Sequence, residues 1–201
     1  MKIILLILST ILFMSTLHSQ DTTASELNKL PYYEIPDYPE DYSAGNVAAR
    51  VADGLGYRFY WATEGLTDEN LDYKPSDDSR TILETLEHIF RLTRTSWSVA
   101  KNEMIVRLVD EPVYEFEELR KLTLENIEGT SILLRGKSPE ELAELTMVFQ
   151  REDRTSQFPF WNLLNGPLAD AIYHTGQIVA FRRAAGNPVD FRMNVFTGKN
   201  R

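Results

Sequence analysis

What most limits the folds open to this chain is a run of long segments with helical apolar periodicity, each closed by a recognisable stop signal. In the first, Val47, Val51, Leu55 and Phe59 recur every four residues, with Ala48, Ala52 and Ala62 widening the stripe, which predicts a helix from about Gly45 to Gly65. A connector from Leu66 to Pro75 leads to a second helix, whose entry is marked by Asp78, Ser79 and the capping-box spacing Thr81-x-x-Glu84. Ile82, Leu86, Phe90, Trp97 and Met104 form its expected core side. A third helix is expected from about Tyr114 to Arg135, with acidic residues in its first turn and Gly136 as its stop. Ser138-Pro139-Glu140-Glu141 opens a short helical turn. The last helix begins near Pro159 or at Pro167 and runs to Ala185, before Gly186-Asn187-Pro188. Between the third and last helices, Met147-Val148-Phe149 followed by Arg151 to Arg154 reads as one short strand and a turn. Four helices of this length bury their stripes only against one another, so the expected fold is an all-α four-helix bundle over residues 43–190.

The remaining segments read differently. Lys2, the apolar run Ile3 to Met14 and then Ser15 to Gln20 have the layout of a signal peptide over residues 1–20, with cleavage near Ser19 or Gln20. The apolar run is shorter than the roughly 20 residues a membrane span needs. The expectation is therefore an exported protein, periplasmic or extracellular, with no membrane attachment after cleavage. Residues 21–42, rich in Pro, Tyr and acidic side chains, read as an extended linker, a mobile leader to the bundle. Residues 191–201 form a C-terminal tail. With no cysteine, the chain has neither disulfides nor thiolate ligands, and its stability rests on packing. A formal net charge of -9 argues against nucleic acid or an anionic membrane as the main partner and leaves cation binding open.

Two histidines, His88 and His174, fall inside long predicted helices. The face of His174 also carries Asp170 one turn earlier and Gln177 one turn later, on a surface otherwise made of Pro167, Ala171, Ile178, Phe181 and Ala185. An Asp and a His on an apolar face are costly unless each finds a partner. A carboxylate and an imidazole at i and i+4 point the same way, and can grip one cation or hydrogen-bond as a purely structural pair. His88 lies on a mixed strip with Thr81, Thr85, Leu92, Thr95 and Val99. Glu84, four residues before it, is a candidate fourth ligand or general base, or simply the acidic member of the capping box.

Several stretches together resemble the DinB/YfiT-like superfamily, over about Gly45 to Pro188. They are Glu64 to Leu71, Tyr73-Lys74-Pro75, Ile82 to Ile89, and Pro167 to Ile178, the last being similar to that family's His-x-x-x-His-x-Gly-Gln segment. The resemblance implies a four-helix bundle, often a homodimer, whose three histidines hold zinc, nickel or a related ion. Position by position, His88 matches the first histidine and His174 the third, while Asp170 stands where the second would be. A carboxylate in that place tilts preference toward ions that accept oxygen, which adds manganese and iron to zinc and nickel as expected divalent cofactors.

Two functions from different classes follow. The first is a metal-dependent hydrolase or group-transfer enzyme acting on a small substrate at His88, Asp170 and His174. Related transferases use low-molecular-weight thiols, from which export would separate this chain, so transfer ranks below hydrolysis. The second is a non-catalytic binding bundle that has lost one ligand and keeps the scaffold.

Overall fold

A computed structural model describes residues 29–106, 112–151 and 154–201, so the expected signal peptide lies outside the described residues. Four long helices dominate: α1 (Ala44–Thr63), α3 (Ile82–Ala100), α4 (Phe116–Leu134) and α7 (Ala169–Ala184). Between them lie the short helices α2 (Asp68–Leu71), α5 (Pro139–Glu144) and α6 (Trp161–Leu163), the last continuing through a π-helical segment, Leu164–Leu168, into α7. The long helices form a ring in which α1 and α3 each pack against both α4 and α7. Leu55, Phe59, Ile82, Leu86, Ile89, Leu124, Ile127, Leu163, Leu168 and Ile178 are fully buried at its centre. Each such side chain contributes about 1.5–3 kcal/mol of burial, the main source of stability in a chain without cross-links.

Local chemistry accounts for the boundaries. Capping boxes open α2, α3 and α5, with Thr67, Thr81 and Ser138 as N-caps. Gly65, Gly136 and Gly186 take the left-handed backbone after α1, α4 and α7, with φ of 71°, 76° and 83°. Among the described residues no helix is long and apolar enough to cross a membrane.

The all-α expectation needs correction, because a three-stranded sheet caps the bundle. Strands β1 (Ile105–Val106), β2 (Thr146–Arg151) and β3 (Arg154–Pro159) lie in that order, β1 parallel to β2 and β2 antiparallel to β3. The expected single strand and turn are the first half of this hairpin. Its second strand is exposed throughout, so no buried face imposes on it the alternation that marks a strand in sequence.

Two of the expected helix faces also shift. Val47 and Val51 of α1 are 51% and 40% exposed, and the buried stripe runs instead through Ala48, Ala49, Ala52, Leu55, Phe59 and Ala62. A row spaced by four drifts roughly 40° around the helix at each step, so Val47 and Phe59 cannot share one face. The second expected helix stops at Ala100, where Lys101 caps it and Asn102 takes the left-handed conformation. Met104 lies beyond it and half in solvent, and Trp97 sits at the margin of the core against Gly129.

The expected mobile leader over 21–42 is, in its described part, a strap laid across the bundle. Tyr32 is buried with a left-handed φ of 73°, its hydroxyl donating to Asp53 Oδ1 (3.1 Å) and its ring filling a groove that only Gly56 leaves open. Tyr33 packs against Tyr60 and Trp61, and its carbonyl accepts from Trp61 Nε1 (3.1 Å). The C-terminal tail fastens the strap: Ile35 N–H donates to Gly198 O (2.9 Å), and Tyr57, buried in α1, binds Asn200 and the Asn194 N–H through its hydroxyl.

Candidate metal centre

Two features of the last helix place its polar residues. Gly166 breaks the regular turn with φ -96° and ψ -106°, and Pro167 follows inside the π-helical stretch. This single wide turn resets the phase of the chain, so that α7 begins with Asp170 in its first turn and aims the 170/174/177 row at α3. Ala171, Thr175, Ile178 and Arg182 make the adjoining buried row that holds α7 against its neighbours.

His88 approaches this row from the middle of α3. Its Nε2 lies 3.3 Å from Asp170 Oδ2, across 82 residues of sequence, and His174 Nε2 lies 3.4 Å from Asp170 Oδ1. The imidazole rings meet edge to face with centroids 4.6 Å apart. One donor atom from each of His88, Asp170 and His174 falls within 4.8 Å of the others. The side chains are 23%, 43% and 13% exposed, so the cluster is partly buried and still reachable from solvent.

The donor set fits a divalent cation. Zinc bonds of about 2.1 Å to imidazole nitrogen and carboxylate oxygen give a tetrahedron with edges of roughly 3.4 Å; His88 and His174 each stand near that distance from Asp170, but from opposite oxygens, and one donor atom per residue brings the set within 4.8 Å, so a bound ion requires the side chains to turn slightly inward. The proton arrangement points the same way. His174 Nδ1 lies 2.7 Å from Gln177 Oε1, so that nitrogen carries the proton and donates it to the amide oxygen. In the neutral ring Nε2 is then the nitrogen with the lone pair, turned toward Asp170 Oδ1 as a shared cation would require, whereas in the imidazolium Nε2–H pairs directly with that carboxylate. Gln177 thus plays the part common to groups behind a metal-bound histidine, fixing its tautomer and ring orientation.

Burial first, then the neighbouring His174 and the Arg80 charge, hold the His88 imidazolium below its ordinary pKa, with Asp170 acting in the opposite sense. A neutral imidazole is the ligand form. Tyr173 borders the recess, its ring 5.2 Å from that of His174 and 64% of its surface exposed.

The three residues singled out in the sequence, His88, Asp170 and His174, therefore lie together, in a group that could hold a metal ion. Glu84 stands apart, as the acidic partner of the capping box: its Oε2 accepts from Thr81 N–H (2.8 Å), and Thr81 Oγ1 accepts from Glu84 N–H (3.1 Å). Arg182 went unnoticed in the sequence although it lies on the apolar face of α7. Only 3% exposed, it donates to the carbonyls of Trp61, Ala62 and Glu64 that end α1, and to Asn187 O and Oδ1. Asn187 in turn donates to Gly65 O and Asn70 Oδ1. The sign was available: a charged residue four positions after Ile178 on a buried row must have partners waiting.

Fold and site together define the class, a helical bundle with a two-histidine, one-carboxylate recess suited to a divalent cation. No family profile and no curated protein matches the sequence. Among solved structures, the crystal structure of a DinB-like protein, YjoA, from Bacillus subtilis superposes with a TM-score of 0.50 at 19% identity, covering 70% of this chain and 95% of that one. The fold is DinB-like.

Proposed function

We propose that this chain is a member of the DinB-like superfamily and a divalent-cation-dependent enzyme, hydrolysing or transferring a group on a small substrate at the His88–Asp170–His174 recess. The observation that carries the reading is the meeting of His88 with the Asp170/His174 pair, donors 82 residues apart in sequence whose ligand atoms lie within 4.8 Å of one another. Zinc, nickel, manganese and iron all accept this donor set, and three protein ligands leave further coordination positions open. A cation held there supplies Lewis acidity toward a substrate oxygen and activates water at neutral pH. The protein residues do the rest. His174 is held in one tautomer by Gln177, Asp170 offsets part of the ionic charge and bridges the two rings, and the packing of α3 against α7 keeps both imidazoles in place. On the sequence grounds given above, we further propose that the chain works outside the cytoplasm and as a homodimer.

The test is metal analysis of the purified protein after exposure to each of the four ions, followed by turnover of a panel of chromogenic esters and amides. One tightly bound ion per chain, lost in His88→Ala and His174→Ala, together with turnover lost in the same variants, is the expected result. Stoichiometric binding without turnover of any compound in the panel would favour the binding bundle. No ion retained from any of the four would end the metal reading altogether.

A further inference from the structure

Strand β3 closes one side of the sheet, and among the described residues no further strand pairs with its outer edge. All six of its residues are exposed, so both faces of the strand stand clear of the bundle. Charged side chains, bulges or a covering helix commonly blunt such an edge. β3 carries one charge, Arg154 at its start, and its register with β2 is unbroken from Arg154 to Pro159. The sheet is also small, with only two residues in β1 beside six in each of β2 and β3. Two full strands and a fragment fall short of what makes a sheet stable by itself.

The register fixes which backbone groups face outward. In an antiparallel pair, opposed residues alternate between hydrogen-bonded and non-hydrogen-bonded positions. Arg151 and Arg154 close the hairpin and take the first kind, because the C=O of the one binds the N–H of the other three positions on. Phe149 with Ser156, and Met147 with Phe158, follow in the same phase. Thr155, Gln157 and Pro159 therefore turn their backbone groups away from β2, to the open edge. Two observations agree. The Thr155 hydroxyl reaches Gln150 Oε1 (2.7 Å), as opposed side chains do at the closer, non-hydrogen-bonded positions. Pro159 stands where the N–H it lacks would point outward, the place a sheet tolerates proline.

Each chain thus leaves the N–H and C=O groups of Thr155 and Gln157 on an accessible edge, in a spacing that is its own complement. When two such strands lie antiparallel about a two-fold axis at Ser156, Thr155 of each meets Gln157 of the other, and all of these groups are hydrogen-bonded. Ser156 then faces Ser156 of the second copy, and Arg154 lies opposite Phe158, so no like charges meet. Just beyond the strand stands Trp161, 74% exposed, of a residue type that anchors interfaces.

We propose that the open edge of β3 is the interface between two copies of this chain, joined antiparallel about Ser156 into one continuous sheet. This rests on the homodimer reading and gives that dimer its surface.

The absence of cysteine makes the register directly measurable. Cα atoms of a non-hydrogen-bonded antiparallel pair lie about 4.5 Å apart, within disulfide range. Ser156→Cys should therefore give a disulfide-linked dimer on mild oxidation. Thr155→Cys should not, since its two copies stand roughly 8 Å apart about this axis. Gln157→Pro removes one outward N–H per chain and no bond to β2, and should weaken the dimer about tenfold or more in light scattering over a dilution series, with helical content by circular dichroism unchanged. A dimer that Ser156→Cys fails to link, that both cysteine variants link equally, or that Gln157→Pro leaves at full strength would overturn this interface while the homodimer reading stands. A wild type that stays monomeric at every concentration would overturn both.

Discussion

Replacement of Gln177 by Leu isolates the one contact that selects the tautomer of the neutral His174 ring. In the folded protein the Gln177 amide oxygen sits 2.7 Å from His174 Nδ1 and keeps the lone pair on Nε2, the atom facing Asp170. Leucine has a similar volume and a good helix propensity, so it removes the acceptor without opening a large void. The ring is then free to carry its proton on Nε2 and to rotate, and both changes must be reversed before a cation binds. Loss of such a group behind a metal-bound histidine lowers affinity by about 10- to 100-fold, or roughly 1.4–2.7 kcal/mol. Gln177 is half-buried and at the edge of the packed row, so the melting temperature of the metal-free protein should move by no more than about 2 °C. Competition titration of zinc against a chromophoric chelator measures the first quantity, and thermal unfolding in EDTA the second. Gln177→Glu keeps an acceptor and should retain wild-type affinity or exceed it. If Gln177→Leu bound zinc as tightly as wild type, the tautomer argument would be wrong and His174 would have to be held by packing alone.

The other expectations concern the scaffold. Arg182→Met strips partners from three carbonyls at the end of α1 and should cost about 3 kcal/mol or more, lowering the melting temperature by about 6–12 °C; a shift under 2 °C would show that water replaces the guanidinium. Glu84→Ala should cost about 1 kcal/mol through the lost capping box, with zinc affinity unchanged in the same chelator competition; a large drop in affinity would return Glu84 to the site. Glu128 has its carboxyl raised by desolvation first, then by Glu125 and Asp53. Folding therefore favours its acid form, a contribution present below the ordinary carboxylate range and lost as pH climbs through the raised value. Glu128→Gln should accordingly raise the melting temperature at pH 7 and have no effect near pH 3, with an equal shift at both pH values counting against the assignment.

The parts of this molecule that could be read from sequence are those governed by short-range rules. Gly65, Gly136 and Gly186 end helices because left-handed backbone is open to glycine, and Thr81 with Glu84 starts one because two side chains answer two free N–H groups. His174 could be singled out because it shares an otherwise apolar helix face with Asp170, while His88, on a mixed strip, and its pairing with His174 across the bundle needed the family resemblance as well. What stayed hidden depends on contacts between distant segments. The phase of α1 is set by α4 and α7, which pack on its alanine side and leave Val47 and Val51 outside. The strap is held by a groove at Gly56 and by a tail more than 150 residues later, neither of which leaves a periodic trace. The exposed strand β3 lacks a buried face, and with it the alternation by which strands are recognised. Arg182 can be flagged from its place on the buried row of α7, but the carbonyls of Trp61, Ala62 and Glu64 that it serves are visible only once α1 is packed beside it.

Anomalous diffraction from zinc-soaked crystals puts the central claim to its most direct test. The account requires one strong peak about 2.0–2.2 Å from His88 Nε2, from His174 Nε2 and from an Asp170 oxygen, with His174 Nδ1 still donating to Gln177. A peak elsewhere, or bonds to only one imidazole, would contradict it.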